Sequence, residues 1–441
     1  MTLSTAAVNR DLRLSELFEI LPEESGVTDE GVLTIGGVRV TDLAQQYGTP
    51  LHIMDEVGLR RQMRRFVDGL QSRWPNSEVL FASKSLPIVA AYAIAAAEGM
   101  SIDVAGGGEL QLALAAGVDP QRIHLHGNAK SDAELTMALD AGIGAIIVDN
   151  FDEIARLEEL VTQPLHVLVR VIPGVDARTH ASQATGGNNS KFGLPIDQAT
   201  EAIARLNAHP LITCDGIHLH IGSQILEAEP FGEAVAKVAP IGEFPVYDVG
   251  GGLGVRYTYA EQPATVDEYL DAIVRSAKAH LPADAKILIE PGRSTVARAG
   301  VTLYTVNTVK HTGKTFVAVD GGLADQLDIA LTSQRYEAIV ANKLNEPWSE
   351  TAQLVGRQCE SGDLLVEDAP LAETERGDLI VMPVTGAYAY TMSNNYNGAL
   401  KPAVVFVSNG TSRLAVRRET YADLLETQQV AIDQDWTAVP N

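Results

Sequence analysis

Cysteine is scarce in this 441-residue chain, which contains only Cys214 and Cys359. Two cysteines so distant in sequence cannot form the disulfide framework of a small secreted domain. Positive charge is also in short supply, because 33 Lys and Arg stand against 57 Asp and Glu, a formal net charge of −24. No basic cluster offsets this balance, and both nucleic acids and anionic membranes need a basic face on their partner. The composition therefore argues against both kinds of partner.

Long hydrophobic runs are missing as well. No apolar stretch reaches the ~18 residues of a membrane-spanning helix, and the first residues of the chain lack the apolar core of a secretory signal. Hydrophobic residues make up 46% of the chain and charged residues 20%, which is typical of a globular protein. We therefore expect an acidic cytoplasmic protein, and an enzyme rather than a scaffold.

Short apolar runs alternate with helical stretches through the middle of the chain. The runs are VLFA (79–82), IDV (102–104), IHL (123–125), AIIV (145–148), HVLVRV (166–171), GIHLHI (216–221), VYDV (246–249) and ILI (287–289). Helix-start signals lie between them, among them Pro87 and the capping-box pairs Ser131/Glu134, Asn150/Glu153 and Thr265/Glu268. Eight strand–helix units in about 210 residues predict a (β/α)₈ barrel, with an open doubly wound sheet as the alternative.

The pattern changes after residue 300, where β-rich segments such as VTLYTVNTV and PAVVFV are separated by turn residues. This predicts a second, all-β domain. The segment VLTIGGVRV (32–40) reads as a hairpin around Gly36–Gly37 and is expected to join that domain. The predicted division is an N-terminal extension (1–30), a barrel (50–299), a β domain (31–49 and 300–425) and a C-terminal tail (426–441).

Polar residues and glycines follow the predicted barrel strands, at the end where barrels carry their chemistry. They are Lys84, Asp103, HGN (126–128), Asp149, Arg170, His218 and His220 with GSQ (222–224), GGGLG (250–254) and EPGR (290–293). Arg170 needs an acidic partner if it is buried, and Asp103 and Asp149 are both candidates. The pairs His124/His126 and His218/His220 have strand spacing; because no third ligand is specified, packing or ring stacking is favoured over a metal site.

Three of these features together describe a pyridoxal 5'-phosphate (PLP) site. Lys84 is either a solvated residue or a nucleophilic amine toward a carbonyl group. The GGGLG stretch lacks the third glycine of a dinucleotide motif, but its backbone can form an anion nest, and with EPGR it occupies the loops that commonly bind phosphate in barrels. Glu290 ends a buried strand and needs a cationic partner, which a protonated pyridine nitrogen would supply.

The chain also resembles the fold-type III PLP-dependent decarboxylases, most closely those that act on diaminopimelate. The resemblance runs from about Val32 to Arg418. Eight motifs carry it: FASK, DVAGGGEL, RVIPGVDARTH…NNSKFGL (170–194), GIHLHIGSQI (216–225), GGGLG, EPGRS, CESGD (359–363) and GAY…MSNNYNG (386–398).

The resemblance implies a role for each site residue. Lys84 would bind the cofactor covalently, His220 would stack on its ring, and Glu290 would hold its ring nitrogen protonated. The other cofactor-binding candidates are Asp103, Ser223, Gly251, Gly252, Gly292, Arg293 and Tyr388. The catalytic candidates are Lys84, His220 and Cys359, with Cys359 as the first choice of proton donor and Lys84 as the alternative.

The resemblance further implies a homodimer with shared active sites. Cys359 and Glu360 would complete the site of the neighbouring subunit, and relatives form an ion pair across that interface at the positions of Lys191 and Asp363. No metal is expected, and the partners are a small amino acid and a second copy of the chain.

One segment departs from the family pattern. Diaminopimelate decarboxylases have an arginine and, four residues later, a tyrosine that hold the distal end of the substrate; here Asp328 and Thr332 occupy those positions. The substrate-binding candidates are Arg293, Asp328, Thr332, Glu360 and Tyr388. We expect conversion of meso-2,6-diaminopimelate to L-lysine and CO₂, with an ornithine-, lysine- or arginine-like substrate as the alternative. A PLP-dependent racemase and a non-catalytic PLP carrier are the less favoured hypotheses.

Overall fold

The structure is a computed structural model that describes residues 15–175 and 190–428. Part of the RVIPGVDARTH…NNSKFGL motif, the first 14 residues and most of the predicted C-terminal tail lie outside the described residues. In the described part of the chain, no helix is both long and apolar enough to cross a membrane.

The strands are β1 (Ser25–Val27), β2 (Leu33–Ile35), β3 (Val38–Arg39), β4 (Leu51–Asp55), β5 (Ser77–Ala82), β6 (Ser101–Val104), β7 (Ile123–Leu125), β8 (Ala145–Val148), β9 (Leu165–Ile172), β10 (Leu194–Pro195), β11 (Ile212–Leu219), β12 (Val246–Asp248), β13 (Lys286–Ile289), β14 (Gly300–His311), β15 (Thr315–Val319), β16 (Ile339–Val340), β17 (Trp348–Val355), β18 (Leu364–Ala372), β19 (Leu379–Met382), β20 (Ala403–Ser408) and β21 (Thr411–Val416).

The helices are α1 (15–20), α2 (Val40–Tyr47), α3 (Glu56–Arg73), α4 (Val89–Ala97), α5 (Gly107–Ala115), α6 (Asp132–Ala141), α7 (Phe151–Leu160), α8 (Ile196–Ala208), α9 (Glu229–Val238), α10 (Val266–His280), α11 (Arg293–Val296), α12 (Asp328–Thr332) and α13 (Tyr421–Glu426).

Eight parallel strands close into a barrel. The order around it is β5-β6-β7-β8-β9-β11-β12-β13, and β13 pairs again with β5. The pairing of β8 with β9 closes the sheet and rules out the open-sheet alternative, which would leave two free edges. All eight predicted apolar runs are barrel strands. They read as continuous apolar stretches because helices cover the outside while side chains fill the inside.

The predicted helix starts are confirmed in detail at two places. Ser131 and Thr265 each form a full capping box, with the glutamate three residues later bonding back to the cap. Asn150 accepts a hydrogen bond from Glu153 N and caps α7. The helix after Pro87 begins at Val89, two residues later than the proline suggests.

The β domain is built around the long strand β14, which pairs with β4, β15 and β19. Its main sheet has the order β18-β17-β15-β14-β4-β20-β21. The prediction that the barrel begins at residue 50 was therefore wrong, because Leu51–Asp55 pairs with β14 and β20 of the β domain. All five residues of this strand are buried, so sequence pattern alone does not distinguish it from a barrel strand.

The predicted hairpin at 32–40 forms from β2 and β3, and β1 adds a third strand. It is a separate small sheet that is joined to the β domain by hydrogen bonds from Leu33 N to Ala341 O (2.8 Å) and from Gly410 N to Gly36 O (2.7 Å). Residues 15–30 are more than an extension, since Leu17, Ile20 and Leu21 are fully buried.

Candidate active site

Lys84 lies where the first barrel strand ends. The strand β5 runs into a short 3₁₀ turn, Ser83–Ser85, and Lys84 is exposed on this turn while Ser83 and Ser85 are buried. The turn is tied to the β domain, because Tyr388 N donates a hydrogen bond to Ser85 O at 2.9 Å. The lysine therefore stands at the mouth of the barrel, on the side that the β domain covers.

Glu290 directly follows the last barrel strand and is only 6% exposed. His126 Nε2 lies 2.9 Å from its Oε1 atom, and His218 Nε2 lies 3.2 Å from its Oε2 atom. Burial raises the pKa of Glu290, but the two imidazoles outweigh burial and hold that pKa well below its usual range. The carboxylate is thus kept charged inside the barrel.

The histidines were predicted to pack or stack, and this is correct only in part. His126 and His218 do meet edge to face, with ring centroids 5.0 Å apart. Their main interaction is nevertheless with Glu290, a residue more than 70 positions away along the chain from His218. The side-chain atoms of His126, His218 and Glu290 that could bind a metal lie within 4.8 Å of one another. Glu290 is thus a possible third metal ligand, which the sequence did not specify. The expectation of a metal-free site stays a prediction.

Asp103 and Arg170 lie in the same buried region. Asp103 Oδ1 is 3.6 Å from His126 Nε2, and burial raises the pKa of Asp103 to about 6, with the Glu290 charge adding to the effect. Arg170 is also buried, and its guanidinium lies 4.5 Å from the centre of the Phe192 ring. Burial lowers the pKa of Arg170, while Asp149, Glu290 and Asp103 act in the opposite direction. Both predicted partners of Arg170 are therefore near it.

His220 follows β11 and is held by the glycine loop after β12. Gly251 N donates a hydrogen bond to His220 Nδ1 at 3.3 Å. Burial lowers the pKa of His220 well below its usual value, and the positive charges of Lys84 and Arg170 lower it further. The imidazole is therefore neutral, with Nδ1 as the acceptor, and its orientation is fixed by the loop.

The glycines of this loop cannot carry a side chain. A Cβ atom on Gly251 would lie 2.0 Å from Glu290 O, and one on Gly252 would lie 2.2 Å from Gly222 O, at a backbone φ of +122°. Gly292 is also tight, since its Cβ would lie 2.9 Å from Ala82 Cβ. The GGGLG stretch can therefore be both a tight turn and an anion-binding nest, because its glycines leave backbone N–H groups uncovered by side chains at the end of β12.

Arg293 joins residues from both domains. Its Nε and Nη2 atoms donate to Ser223 Oγ at 3.2 and 3.1 Å, and Nη1 donates to the hydroxyl of Tyr257. The guanidinium also lies 4.5 Å from the centre of the Tyr388 ring, which comes from the β domain. Sequence reasoning predicted Ser223, Arg293 and Tyr388 but missed Tyr257, although it lies three residues after GGGLG.

Asp328 and Thr332 are one turn apart on α12. Asp328 is 1% exposed; its Oδ2 accepts a hydrogen bond from the Tyr336 hydroxyl at 2.9 Å, and Thr332 Oγ1 donates to its backbone oxygen at 2.8 Å. Burial lowers the pKa of Arg293, but Tyr257, Tyr388 and the Asp328 charge together raise it above its usual value. Asp328 is therefore a buried, hydrogen-bonded carboxyl group that acts electrostatically on Arg293, rather than an open charge in a pocket.

Cys359 and Glu360 lie on an exposed loop between β17 and β18 and contact different residues from those above. Cys359 N donates to Asn397 Oδ1 at 2.7 Å, and Asp363 anchors the loop by accepting from Leu323 N (2.8 Å) and Gln358 N (2.7 Å). Asp363 is only 4% exposed. Its carboxylate thus accepts hydrogen bonds within its own chain, and the ion pair expected with Lys191 across a subunit interface stays a prediction.

The residues at the barrel mouth fit PLP. Glu290 Oε1 is buried and has no hydrogen-bond partner among the described residues, since the nearby His126 Nε2 is not aligned with it. A protonated pyridine nitrogen would supply that partner. The strands β5 and β12, which lie on either side of β13, lead into an exposed lysine and a bare glycine loop, and Arg293 with Ser223 adds donors suited to a phosphate.

Comparisons with known proteins identify the family of this chain. Residues 58–297 match the family model described as "Pyridoxal-dependent decarboxylase, pyridoxal binding domain". The chain is 43% identical to a diaminopimelate decarboxylase of Bacillus subtilis over 416 residues, which cover 90% of this chain and 95% of that protein. It is 42% identical to one of Actinosynnema pretiosum over 414 residues, covering 91% and 93%.

Solved structures give the same result. The diaminopimelate decarboxylase of M. jannaschii in complex with L-lysine superposes with a TM-score of 0.87 at 30% identity, covering 93% of this chain and 98% of that one. A lysine/ornithine decarboxylase of Vibrio vulnificus, at 23% identity and a TM-score of 0.72, covers 84% and 97% and shares the fold.

Proposed function

Because the chain belongs to the pyridoxal-dependent decarboxylases and is therefore a PLP-dependent carboxy-lyase, we propose that it converts meso-2,6-diaminopimelate to L-lysine and CO₂. The observation that carries the proposal is the grouping of Lys84, a charged Glu290 and the Ser223–Arg293–Tyr388 cluster around one barrel mouth. The substrate is the one named for relatives that match 90% or more of this chain.

In this proposal the bound PLP supplies an electron sink for the carbon that loses CO₂. Lys84 would hold the cofactor covalently. Glu290 would keep its ring nitrogen protonated, and neutral His220 would stack on the ring. Asp103 closes the cofactor site beside His126.

The phosphate end of the proposed site comes from two loops. Gly251, Gly252 and Gly292 let the backbone approach closely, and Ser223 and Arg293 donate hydrogen bonds to the phosphate. Tyr388 closes the site from the β domain and contacts both phosphate and substrate. Every one of these groups binds or orients; none of them transfers a proton.

Proton delivery falls to two residues. Cys359 of the partner subunit is the first choice as the donor to the α-carbon, and Lys84 is the alternative. For the substrate's distal end, Arg293 would hold the carboxylate and Glu360 of the partner subunit the ammonium, with Tyr388 packing alongside.

A second substrate class, an amino acid whose side chain ends in an amine or guanidinium alone, is favoured by one observation. The buried Asp328 partly compensates the charge of Arg293, which leaves that guanidinium less able to attract a distal carboxylate. Thr332 also lacks the phenol that would reach further into the site. Ornithine, lysine and arginine belong to this class.

The test is a substrate screen with the PLP-loaded protein. CO₂ release and amine product are measured with diaminopimelate, lysine, ornithine, arginine and glutamate at equal concentrations. We expect the highest kcat/KM with meso-diaminopimelate and L-lysine as product. If kcat/KM is highest with ornithine, lysine or arginine, that amino acid is the substrate instead of diaminopimelate. Inversion of a stereocentre without CO₂ release would identify a racemase.

We further propose that the chain works as a homodimer in the cytoplasm and that each active site is shared. Support comes from the CESGD loop, which hydrogen bonds of Asp363 and Asn397 hold in place while Cys359 and Glu360 stay exposed. Both cysteines are free thiols, which suits a reducing compartment.

Mixing two inactive variants tests the shared site. Lys84→Ala and Cys359→Ala should each be nearly inactive, yet their mixture should recover about a quarter of wild-type activity, because random exchange makes half of the dimers mixed and each mixed dimer holds one intact site. CO₂ release is measured after subunit exchange has been verified by native mass spectrometry. Exchange without recovery would mean that each site is built from one chain.

A further inference from the structure

The interior of the barrel below Glu290 is lined by titratable groups, where packing would favour apolar side chains. His126 directly follows β7, and His218 lies on β11. Both imidazoles are buried, and each approaches a different oxygen of the carboxylate, at 2.9 Å from Oε1 and 3.2 Å from Oε2. This two-sided contact limits the orientations of the Glu290 side chain.

The surroundings give the two histidines different charges. Burial lowers the pKa of His218 to about 4, so this ring is neutral and its Nε2–H donates to Glu290, while Nδ1 is buried without a partner among the described residues. Burial also opposes charge on His126, but Asp103 and Glu290 outweigh it and raise the pKa of His126. The two neighbouring carboxyl groups therefore favour the protonated form of His126.

The remaining groups that face Glu290 complete this arrangement. Burial and the Glu290 charge raise the pKa of Asp248 well above its usual value, so Asp248 is neutral, and its Oδ1 accepts from Gly250 N at 2.9 Å. Arg170 and His124 act on the same region from β9 and β7, and the Asp103 carboxyl adds to it from β6. His126 and His218 place a ring nitrogen beside each Glu290 oxygen, and the Asp248 carboxyl also hydrogen-bonds to Glu290.

We propose that His126 and His218 are positioning residues, which hold Glu290 ionised and facing the mouth of the barrel so that it can pair with the cofactor's ring nitrogen. The inference rests on the proposed function only for its consequence in catalysis, because the pairing itself concerns cofactor binding. If the two histidines only filled space, leucine would serve equally well. Positioning Glu290 instead requires a ring nitrogen beside each carboxylate oxygen and a protonated form of His126.

The two roles can be separated with matched variants. His218→Gln keeps a neutral donor, His218→Leu removes it, and His126→Leu removes the ring nitrogen beside Glu290 Oε1 together with any charge on it. His166→Leu is the control, because His166 is exposed near the start of β9 and pairs with Asp215. We expect PLP to bind about tenfold more weakly or worse in both leucine variants of the barrel histidines, and His218→Gln to restore most of the loss.

The decisive readout is the pH at which the PLP-loaded protein releases its cofactor, followed by its visible absorbance. A depressed pKa of Glu290 means that its charge is lost only at low pH; raising that pKa moves the loss to higher pH. His126→Leu should therefore release PLP at a pH about one unit higher than wild type, while His166→Leu releases it at the wild-type pH.

Thermal unfolding of each variant distinguishes the outcomes. Unchanged PLP affinity and release pH in His126→Leu and His218→Leu would overturn the proposal. The proposal would also be overturned if His218→Gln and His218→Leu lost PLP affinity to the same extent and in proportion to their loss of Tm, since that is the behaviour expected of a packing residue. If the wild type releases CO₂ from no amino acid but these shifts occur, the proposed function fails and the positioning role stands.

Discussion

Replacing Lys84 by alanine is expected to abolish both CO₂ release and the visible absorbance of the bound cofactor. The exposed lysine at the end of β5 is the residue we assign to the covalent bond, and alanine has no amine to form it. Loss of a positioned group that also moves protons reduces the rate by on the order of 10⁴-fold, and here the covalent bond is lost as well. Absorbance spectra and single-turnover CO₂ release of the purified variant measure both effects.

Lys84→Arg is the matched control for this result. It keeps a positive charge near His220 and Asp103, but a guanidinium that never loses its proton cannot attack a carbonyl. The arginine variant should therefore lose the visible band and the activity as the alanine variant does, while both keep the wild-type Tm before PLP is added. A visible band that persists unchanged in Lys84→Ala would show that another residue holds the cofactor.

The second large effect is expected on substrate choice. Replacing Asp328 by arginine should raise the kcat/KM for meso-diaminopimelate relative to that for lysine and ornithine by about tenfold or more, the scale set by a buried charge pair. The reason is that the Asp328 charge offsets that of Arg293, and an arginine in its place removes this negative charge and adds a positive one, which strengthens the attraction of Arg293 for the distal carboxylate. Steady-state kinetics with the three substrates gives the ratio.

Asp328→Asn serves as the control, since it keeps the shape and the hydrogen bond from Tyr336 but removes the charge. Asparagine should raise the same ratio by a smaller factor than arginine. Because Asp328 is fully enclosed, the Tm of each variant is measured first, and Tyr336→Phe reports the cost of losing the hydrogen bond alone. If neither charge change alters the ratio in a folded protein, Asp328 does not influence the distal end of the substrate.

Much of the barrel was predictable because its pattern is local. Each strand is a continuous apolar run, and the helices begin at capping residues such as Ser131 and Thr265 that act within three positions. The strand β4 was assigned to the wrong domain for the same reason. Its residues are all buried, and only its pairing with β14 and β20, far away in sequence, gives it a place in the β domain.

The cofactor site was predictable to the level of residue type and order. Lys84, the glycine loop and Glu290 each follow a strand, and parallel strands in a closed barrel must bring their carboxyl ends to one rim. By itself, the sequence thus determined the fold class, the family and the side of the barrel that carries the chemistry.

The tertiary structure alone decided which groups touch. The pairing of His126 and His218 with Glu290 depends on how three strands are arranged around the barrel, and strand spacing indicates only which face a side chain shares. Likewise, the sequence predicted Asp328 to be a charge that faces the substrate, but the folded chain buries it in hydrogen bonds with Tyr336 and Thr332. Charges act through space and burial, and neither is encoded by position along the chain, so the electrostatics of this site could be obtained only from the folded molecule.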